Sequence, residues 1–226
     1  MQSITISLLA MLCVASSGNT SQKMNKVVTP VVYKITGNDT LFNFEYATEG
    51  NMPTGFSTAV TGNYNSIKWS IVNDNGNNVV AQQANNSGSC YNQLVLDKIG
   101  YKDFVASVKI KAVSGEEDQG GGLVWRYIDK DNYYISRYNP LETNFRFYRV
   151  VNGSRSQLKS IDSDIKQGEW FTMAIEMKGN KIVCFLNGKK LIETTDDTFP
   201  TAGLIGFWTK ADAVTYFDDL AITQVK

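Results

Sequence analysis

"DFVASVKIKAVSG", residues 103–115, is the stretch that decides the fold class. Its side chains alternate with a period of two: Phe104, Ala106, Val108 and Ile110 on one side, Ser107, Lys109 and Lys111 on the other. A period of two with one apolar side predicts an antiparallel strand that is buried on one face and solvated on the other.

Similar segments extend outward from this strand in both directions. Three strands separated by turns at Gly179 and Gly188 are predicted in residues 169–194, two more in 202–225, and a tight hairpin at Asn152-Gly153. Upstream, 41–46, 67–74 and 79–83 carry strand patterns. Turn signals recur roughly every 8–12 residues and no amphipathic helix is evident, which predicts one all-β domain, a sandwich or a barrel, over residues 41–226.

The composition excludes several kinds of chemistry. The 226 residues contain no histidine, so Ser-His-Asp triads, Cys-His pairs and imidazole zinc sites are ruled out. Lys and Arg together number 22, as do Asp and Glu, and no basic stretch interleaves with aromatic residues. We therefore expect no nucleic-acid partner.

The N-terminus, "MQSITISLLAMLCVASSG", has the pattern of an export signal. Its apolar stretch is too short to cross a membrane as a helix, so we expect a signal over residues 1–17, a linker over 18–40 and no integral membrane span. This predicts a periplasmic or extracellular protein, and Cys13 raises lipoprotein attachment as the alternative. Cys90 and Cys184 remain after cleavage, either as a disulfide or as two buried thiols.

The segment "GGGLVWRYIDKDNYYISRYNP", residues 120–140, predicts a hairpin rich in arginine and aromatic side chains. If Ile128 pairs with Tyr133, then Arg126 and Arg137 project from the same face. Two arginines on one face favour either a surface that binds sugar hydroxyls or a carboxylate, or a structural network with acidic side chains.

Further polar and aromatic residues follow in patterns that suit a carbohydrate surface, since sugars present hydroxyls to planar polar groups and C–H faces to aromatic rings. The alternatives are the solvated face of an outer strand for the polar residues and a core position for the tryptophan. These candidate ligand-binding residues are Asn139, Glu142, Asn144, Arg146, Tyr148, Trp208 and Lys210.

Carboxylates supply weaker candidates. Glu142 and Asp218 are candidate catalytic residues. Asp129, Asp131 and Asp219 are oxygen donors that could hold a structural Ca²⁺, although a plain Asx-rich turn explains "DKDN" equally simply. No other cofactor is expected.

The segments "DQGGGLVWRYIDKDNYYISRYNPLETNFRFYRVVNGSR" and "AGLIGFWTKADAVTYFDDLAI" resemble secreted bacterial proteins of the concanavalin A-like lectin/glucanase superfamily, specifically family 16 glycoside hydrolase-like or 3-keto-disaccharide hydrolase-like domains. The resemblance implies a jelly-roll sandwich of two antiparallel sheets with sugars bound on the concave sheet. The Glu-x-Asp-x-x-Glu strand of family 16 glucanases is absent here; "EEDQGG", residues 116–121, lacks its spacing.

Together these observations predict an exported lectin-like domain that binds an oligo- or polysaccharide without covalent chemistry. The first alternative is a glycoside hydrolase or lyase that uses Glu142, or an aspartate near Arg137, as acid or base. The second is a module that binds something other than sugar. Catalysis would need two carboxyls in one cleft, with the pKa of one of them raised, whereas a lectin would expose a Trp or Tyr without such a pair.

Overall fold

Two antiparallel β-sheets, packed face to face, make up the part of the chain that the computed structural model describes, residues 39–225. The strands are numbered in chain order. Sheet A runs in space β13 (Lys189–Thr195), β12 (Lys181–Leu186), β11 (Trp170–Lys178), β6 (Phe104–Ser114), β15 (Val214–Gln224), β4 (Asn77–Gln82) and β3 (Trp69–Asp74), and β1 (Asp39–Phe42) also pairs with β15. Sheet B runs β10 (Ser154–Asp162), β9 (Asn144–Val151), β8 (Asn132–Asn139), β7 (Gly121–Asp129), β14 (Leu204–Lys210), β5 (Tyr91–Leu96) and β2 (Phe56–Thr61). The predicted all-β sandwich is confirmed. The predicted signal, and all of the predicted linker but its last two residues, lie outside the described residues.

The main core lies between the sheets and is built by strand alternation. On β6 the predicted apolar side is buried, whereas Lys109 on the other side is exposed. Leu123 and Trp125 of β7 pack into the same core from sheet B. Burial of this much aliphatic and aromatic surface is the main source of stability.

A second, smaller core lies on the outer face of sheet B, turned away from sheet A. Its buried residues all come from strands of sheet B: Tyr91, Val95, Val124, Tyr127, Tyr133, Ile135, Tyr148, Val150 and Trp208. No strand of sheet A covers them, so sheet B must shield them itself.

Sheet B achieves this shielding by curling. Strands β10 and β5 are five steps apart in the sheet, which is roughly 24 Å at about 4.8 Å per step in a flat sheet. The guanidinium carbon of Arg155 on β10 nevertheless lies 5.0 Å from the ring centre of Tyr91 on β5. Thr61, at the end of edge strand β2, donates a hydrogen bond to the backbone carbonyl of Lys130 in the β7–β8 loop. It also lies close to the β9–β10 turn, since a Cβ placed on Gly153 would be 3.6 Å from Thr61 Cγ2. The outer face of sheet B is therefore concave.

The hairpin of β7 and β8 departs from its predicted register. Asp129 pairs with Asn132 as the proposed loop requires, but Trp125 lies opposite Tyr134 rather than Ser136. A bulge between Trp125 and Asp129 shifts the register by two residues, and Arg126 within it adopts a left-handed φ of 47°. Beyond the bulge the alternation of faces changes, since Tyr127 lies in the second core with Val124 and not in the main core with Trp125.

Candidate functional site: the concave face of sheet B

The concave face of sheet B forms a trough that is apolar at one end and polar at the other. The apolar end is the second core. Along β8 the side chains that face the trough change from apolar to polar, from Tyr133 and Ile135 at one end to Arg137 and Asn139 at the other. The polar end comprises Asp118, Arg137, Asn139, Glu142, Asn144, Arg146 and Lys210. Solvent reaches this end, where the side chains of Glu142, Arg146 and Lys210 are 42%, 28% and 17% exposed.

Gly122 packs tightly against β8 on the floor of the trough. It pairs with Arg137 on one side and with Trp208 on the other, so it lies between two inward-facing side chains without adding one. A Cβ at this position would lie 1.7 Å from the backbone oxygen of Ser136. Only glycine permits this approach of β7 to β8.

Arg137 is the central side chain of the polar end and is only 1% exposed. Its Nη1 donates to Asn144 Oδ1 at 3.0 Å and its Nη2 to Glu142 Oε2 at 2.7 Å. Its Nε is buried and has no hydrogen-bond partner within residues 39–225. The guanidinium is thus held in a fixed orientation with an unused donor, a costly arrangement for a buried charged group.

Glu142 joins Arg137 to a second arginine. Its Oε2 also accepts from Arg146 Nη1 at 2.8 Å and from Asn144 Nδ2 at 3.1 Å. Burial alone would raise the pKa of Glu142, but the hydrogen bond and charge of Arg137, with Asn144 and Arg146, lower it to about 2. Glu142 is therefore ionised at neutral pH and accepts hydrogen bonds without donating them.

Asp118 forms a second polar cluster beside the first. Its Oδ2 lies 3.0 Å from Lys210 Nζ, and Asn139 Nδ2 donates to its Oδ1 at 3.1 Å. Burial raises the pKa of Asp118, and the opposing charges of Arg137 and Lys210 only partly offset this effect. The polar end therefore holds two carboxyls whose pKa values are displaced in opposite directions.

Arg155 lies over the aromatic rings where the apolar end begins. Its guanidinium carbon is 4.5 Å from the ring centre of Tyr148, 5.0 Å from that of Tyr91 and 5.7 Å from that of Trp208. Trp208 is itself fully buried and donates its indole N–H to the Tyr133 hydroxyl at 3.2 Å. The tyrosines of the trough are buried as well, so the trough exposes neither a tryptophan nor a tyrosine face, contrary to what we expected of a lectin.

The trough brings together every predicted ligand-binding residue except Arg126. Arg137, Asn139, Glu142, Asn144, Arg146, Tyr148, Trp208 and Lys210 all lie along it. Their part in binding stays a prediction, but their predicted proximity is present in the fold.

The structure corrects the predicted position of Arg126. It is fully buried and donates hydrogen bonds to the backbone carbonyls of Lys102, Gly179, Phe199 and Thr201. The prediction that it shares a face with Arg137 is wrong, because the bulge turns its side chain toward loops that flank the sandwich. Its role is structural.

Asp218 and the proposed calcium ligands are also corrected. Asp218 lies on β15 of sheet A, where it accepts a hydrogen bond from Asn77 at 3.0 Å, so it belongs to the other sheet from the trough. Asp219 pairs with Lys109 at 2.6 Å, also in sheet A. Asp129 instead forms an Asx turn in the sheet B hairpin, accepting from the backbone N–H of Asp131. Of the proposed calcium ligands, Asp129 and Asp131 therefore lie in the sheet B hairpin and Asp219 in sheet A. Residues 39–225 contain no group of three acidic or cysteine side chains that could hold a metal.

Of the two alternatives for Cys90 and Cys184, the structure has two buried free thiols and not a disulfide. Cys90 precedes β5 of sheet B, whereas Cys184 faces the main core from β12 of sheet A. Burial raises the pKa of the Cys184 thiol to about 12.

Sequence reasoning missed Asp118, Tyr91, Arg155 and Gln93 as members of the trough. Gln93 lies on its wall, donating to Thr61 Oγ1 at 2.7 Å while its Oε1 is buried without a partner. Asp118 belongs to "EEDQGG", which we considered only as a glucanase motif. Alternation on β5 could have indicated that Tyr91 and Gln93 share a face, but not that β10 folds over them.

Comparisons with known proteins agree with this architecture. A carbohydrate-binding module, CBM66 from Bacillus subtilis, superimposes with a TM-score of 0.63 and 18% identity, covering 77% of this chain and 98% of that one. The Bacillus licheniformis beta-glucanase gives 0.58 and 12%, covering 84% and 100%. A putative glycosyl hydrolase from Parabacteroides distasonis gives 0.52 and 16%, covering 78% and 92%. These likenesses confirm the concanavalin A-like jelly-roll fold.

No curated protein matches the sequence. Within residues 39–225 there is no helix long and apolar enough to cross a membrane. Residues 38–223 match the family described as the 3-keto-alpha-glucoside-1,2-lyase-like domain. This match spans most of the chain and agrees with the resemblance drawn from the sequence, so the chain belongs to the 3-keto-alpha-glucoside-1,2-lyase-like domain family.

Proposed function

We propose that this protein binds a carbohydrate at the polar end of the trough, without covalent chemistry. The observation that carries the proposal is Arg137, a buried arginine held by Glu142 and Asn144 with its Nε unpartnered. The donors of a buried arginine with a purely structural role are ordinarily all hydrogen-bonded, as those of Arg126 are to four backbone carbonyls.

The chemistry of this end suits sugar hydroxyls. Each hydroxyl both donates and accepts, so it is recognised best where fixed donors and acceptors alternate. The guanidinium groups of Arg137 and Arg146 donate, the ionised Glu142 accepts, and Asn144 does both. Because these groups hold one another in place, ligand binding costs little side-chain entropy. The family and the carbohydrate-related fold neighbours support the same class of ligand.

A glycan array combined with a glycosidase and lyase screen tests this proposal. We expect the wild-type protein to bind glycans without turnover and Arg137→Gln to lose binding. Because Arg137 is buried, Arg146→Gln provides a second, more exposed variant that weakens the same contacts. Arg149→Gln is the matched control, since Arg149 lies on β9 like Arg146 but pairs with Asp196 away from the trough. Equal binding by all four proteins, or no glycan binding at all, contradicts the proposal; the latter result favours a module that binds something other than sugar.

A second candidate function, acid–base catalysis on a glycoside, is favoured by the two carboxyls. Asp118 with its raised pKa could exchange a proton, while Glu142 stays ionised. We rank this below binding because both carboxylate oxygens of Asp118 are already engaged and its side chain is almost fully buried. Turnover of any glycoside that is abolished in Asp118→Asn would make this the function.

A further inference from the structure

Arg155 is a cation without an anionic partner. Its guanidinium lies over three aromatic rings, and within residues 39–225 its side chain makes no ion pair and no hydrogen bond, with Nη1 buried. Other arginines of this sheet have carboxylates: Arg137 and Arg146 share Glu142, and Arg149 has Asp196. Arg155 therefore keeps its full hydrogen-bonding capacity for another group.

Tyr148 brings Arg155 together with the polar end of the trough. Nη2 of Arg137 and Nη1 of Arg146 each lie 3.4 Å from the Tyr148 hydroxyl, and the Arg155 guanidinium carbon lies 4.5 Å from its ring centre. The unpartnered Nε of Arg137 and the unpartnered Nη1 of Arg155 thus flank a single tyrosine.

The charges of the polar end and of Arg155, taken together, do not balance. Four cations meet two carboxylates, which leaves an excess of two positive charges: Arg137, Arg146, Arg155 and Lys210 against Asp118 and Glu142. A neutral sugar leaves this excess uncompensated. A ligand that carries a negative charge gains from it.

From this arrangement we infer that the carbohydrate bound in the trough is acidic, and that Arg155 recognises its carboxylate. The inference rests on the proposed function and names the class of sugar, a uronate. A planar carboxylate matches the guanidinium fork in two parallel hydrogen bonds, a stronger interaction than the contact with aromatic rings that it replaces. Arg155 is half-buried on β10, which is an edge strand of sheet B within the described residues.

Titration calorimetry with paired oligosaccharides tests the inference. The probes are short oligomers of galacturonate, glucuronate and mannuronate, each compared with its methyl ester, which keeps the sugar and removes the charge. We expect at least one free acid to bind the wild-type protein about tenfold more tightly than its ester. Arg155→Gln should abolish this preference while retaining ester binding, and Lys159→Gln, on the same exposed strand, should leave it unchanged.

Several outcomes would overturn the inference, and they separate it from the proposed function. If neutral glycans bind and no free uronate binds more tightly than its ester, the uronate inference fails and carbohydrate binding stands. If Arg155→Gln still binds the free acid more tightly than the ester, Arg155 does not recognise the carboxylate. If sulfated dextran binds as tightly as the uronates, only non-specific ionic attraction operates. If no glycan binds at all, the inference and the proposed function fail together.

Discussion

Arg126 joins three separate backbone segments, at Lys102, at Gly179 and at residues 199–201, so replacing it with methionine should destabilise the fold severely. Its guanidinium donates hydrogen bonds to carbonyls of Lys102, Gly179, Phe199 and Thr201, at distances between 2.6 and 3.1 Å. Methionine fills part of the space and, like arginine, carries a Cβ, so we expect the left-handed φ of 47° to cost both side chains a similar strain. The variant therefore isolates the loss of the guanidinium.

The expected loss of stability follows from the four backbone carbonyls that lose their hydrogen-bond donor. Each unpaired buried carbonyl costs about 1–3 kcal/mol, but some of the four can recover water because they lie near the surface of the loops. If at least two of the four carbonyls stay without a donor, the combined cost is about 3–5 kcal/mol. We expect Arg126→Met to lower the free energy of unfolding by about this amount, a large share of the roughly 5–15 kcal/mol available to a domain.

Urea unfolding followed by tryptophan fluorescence measures this change. Arg149→Met is the control, because Arg149 is 40% exposed and holds a single ion pair with Asp196, so it should cost less than about 1 kcal/mol. A loss below about 1 kcal/mol in Arg126→Met, with an unchanged slope against urea, would refute the structural role assigned to Arg126 and reopen its candidacy as a ligand residue.

Three further predictions follow from the trough and the core. Gly122→Ala should cost about 3 kcal/mol, because its Cβ meets the Ser136 carbonyl at 1.7 Å; a thermal midpoint equal to that of wild type contradicts this. The lowered pKa of Glu142 stabilises the fold above its ordinary value of 4.5, and this contribution is lost as the pH falls toward 2. Glu142→Gln should therefore be less stable at pH 7 by about 1 kcal/mol, allowing for solvent exposure, and equal to wild type near pH 2; a constant difference would show that the ionised carboxylate is not responsible. Cys90 and Cys184 should resist iodoacetamide until the protein is unfolded, whereas recovery of a disulfide-linked peptide between them contradicts the two free thiols.

The sandwich could be predicted because local alternation encodes it. In β6 each apolar residue at every second position is buried, and the turns at Gly179 and Gly188 separate the predicted strands. Arg126 shows where alternation fails. The bulge adds two residues to β7 relative to β8, and its left-handed backbone at an arginine gives no signal comparable to a glycine.

The polar end of the trough was predicted in part because most of its residues are close in sequence. Arg137, Asn139, Asn144 and Arg146 share a face through the pairing of β8 with β9. Arg155 was missed because its contacts depend on how sheet B curls, which brings β10 over β5. Asp118 was missed because it lies just before β7 and meets Asn139 and Lys210 only through the pairing of β7 with β8 and β14. Strand periodicity specifies which face a side chain occupies, but not the curvature that makes distant strands meet.

Chemical-shift mapping of the isotopically labelled protein with a bound oligosaccharide tests the central claim most directly. Binding in the trough predicts shifts of the Arg137 side-chain Nε–H and of amides near Tyr148 and Lys210, with the outer face of sheet A, around Ala174 and Val183, unperturbed. Shifts confined to sheet A, or an unchanged Arg137 Nε–H at saturation, would contradict the account.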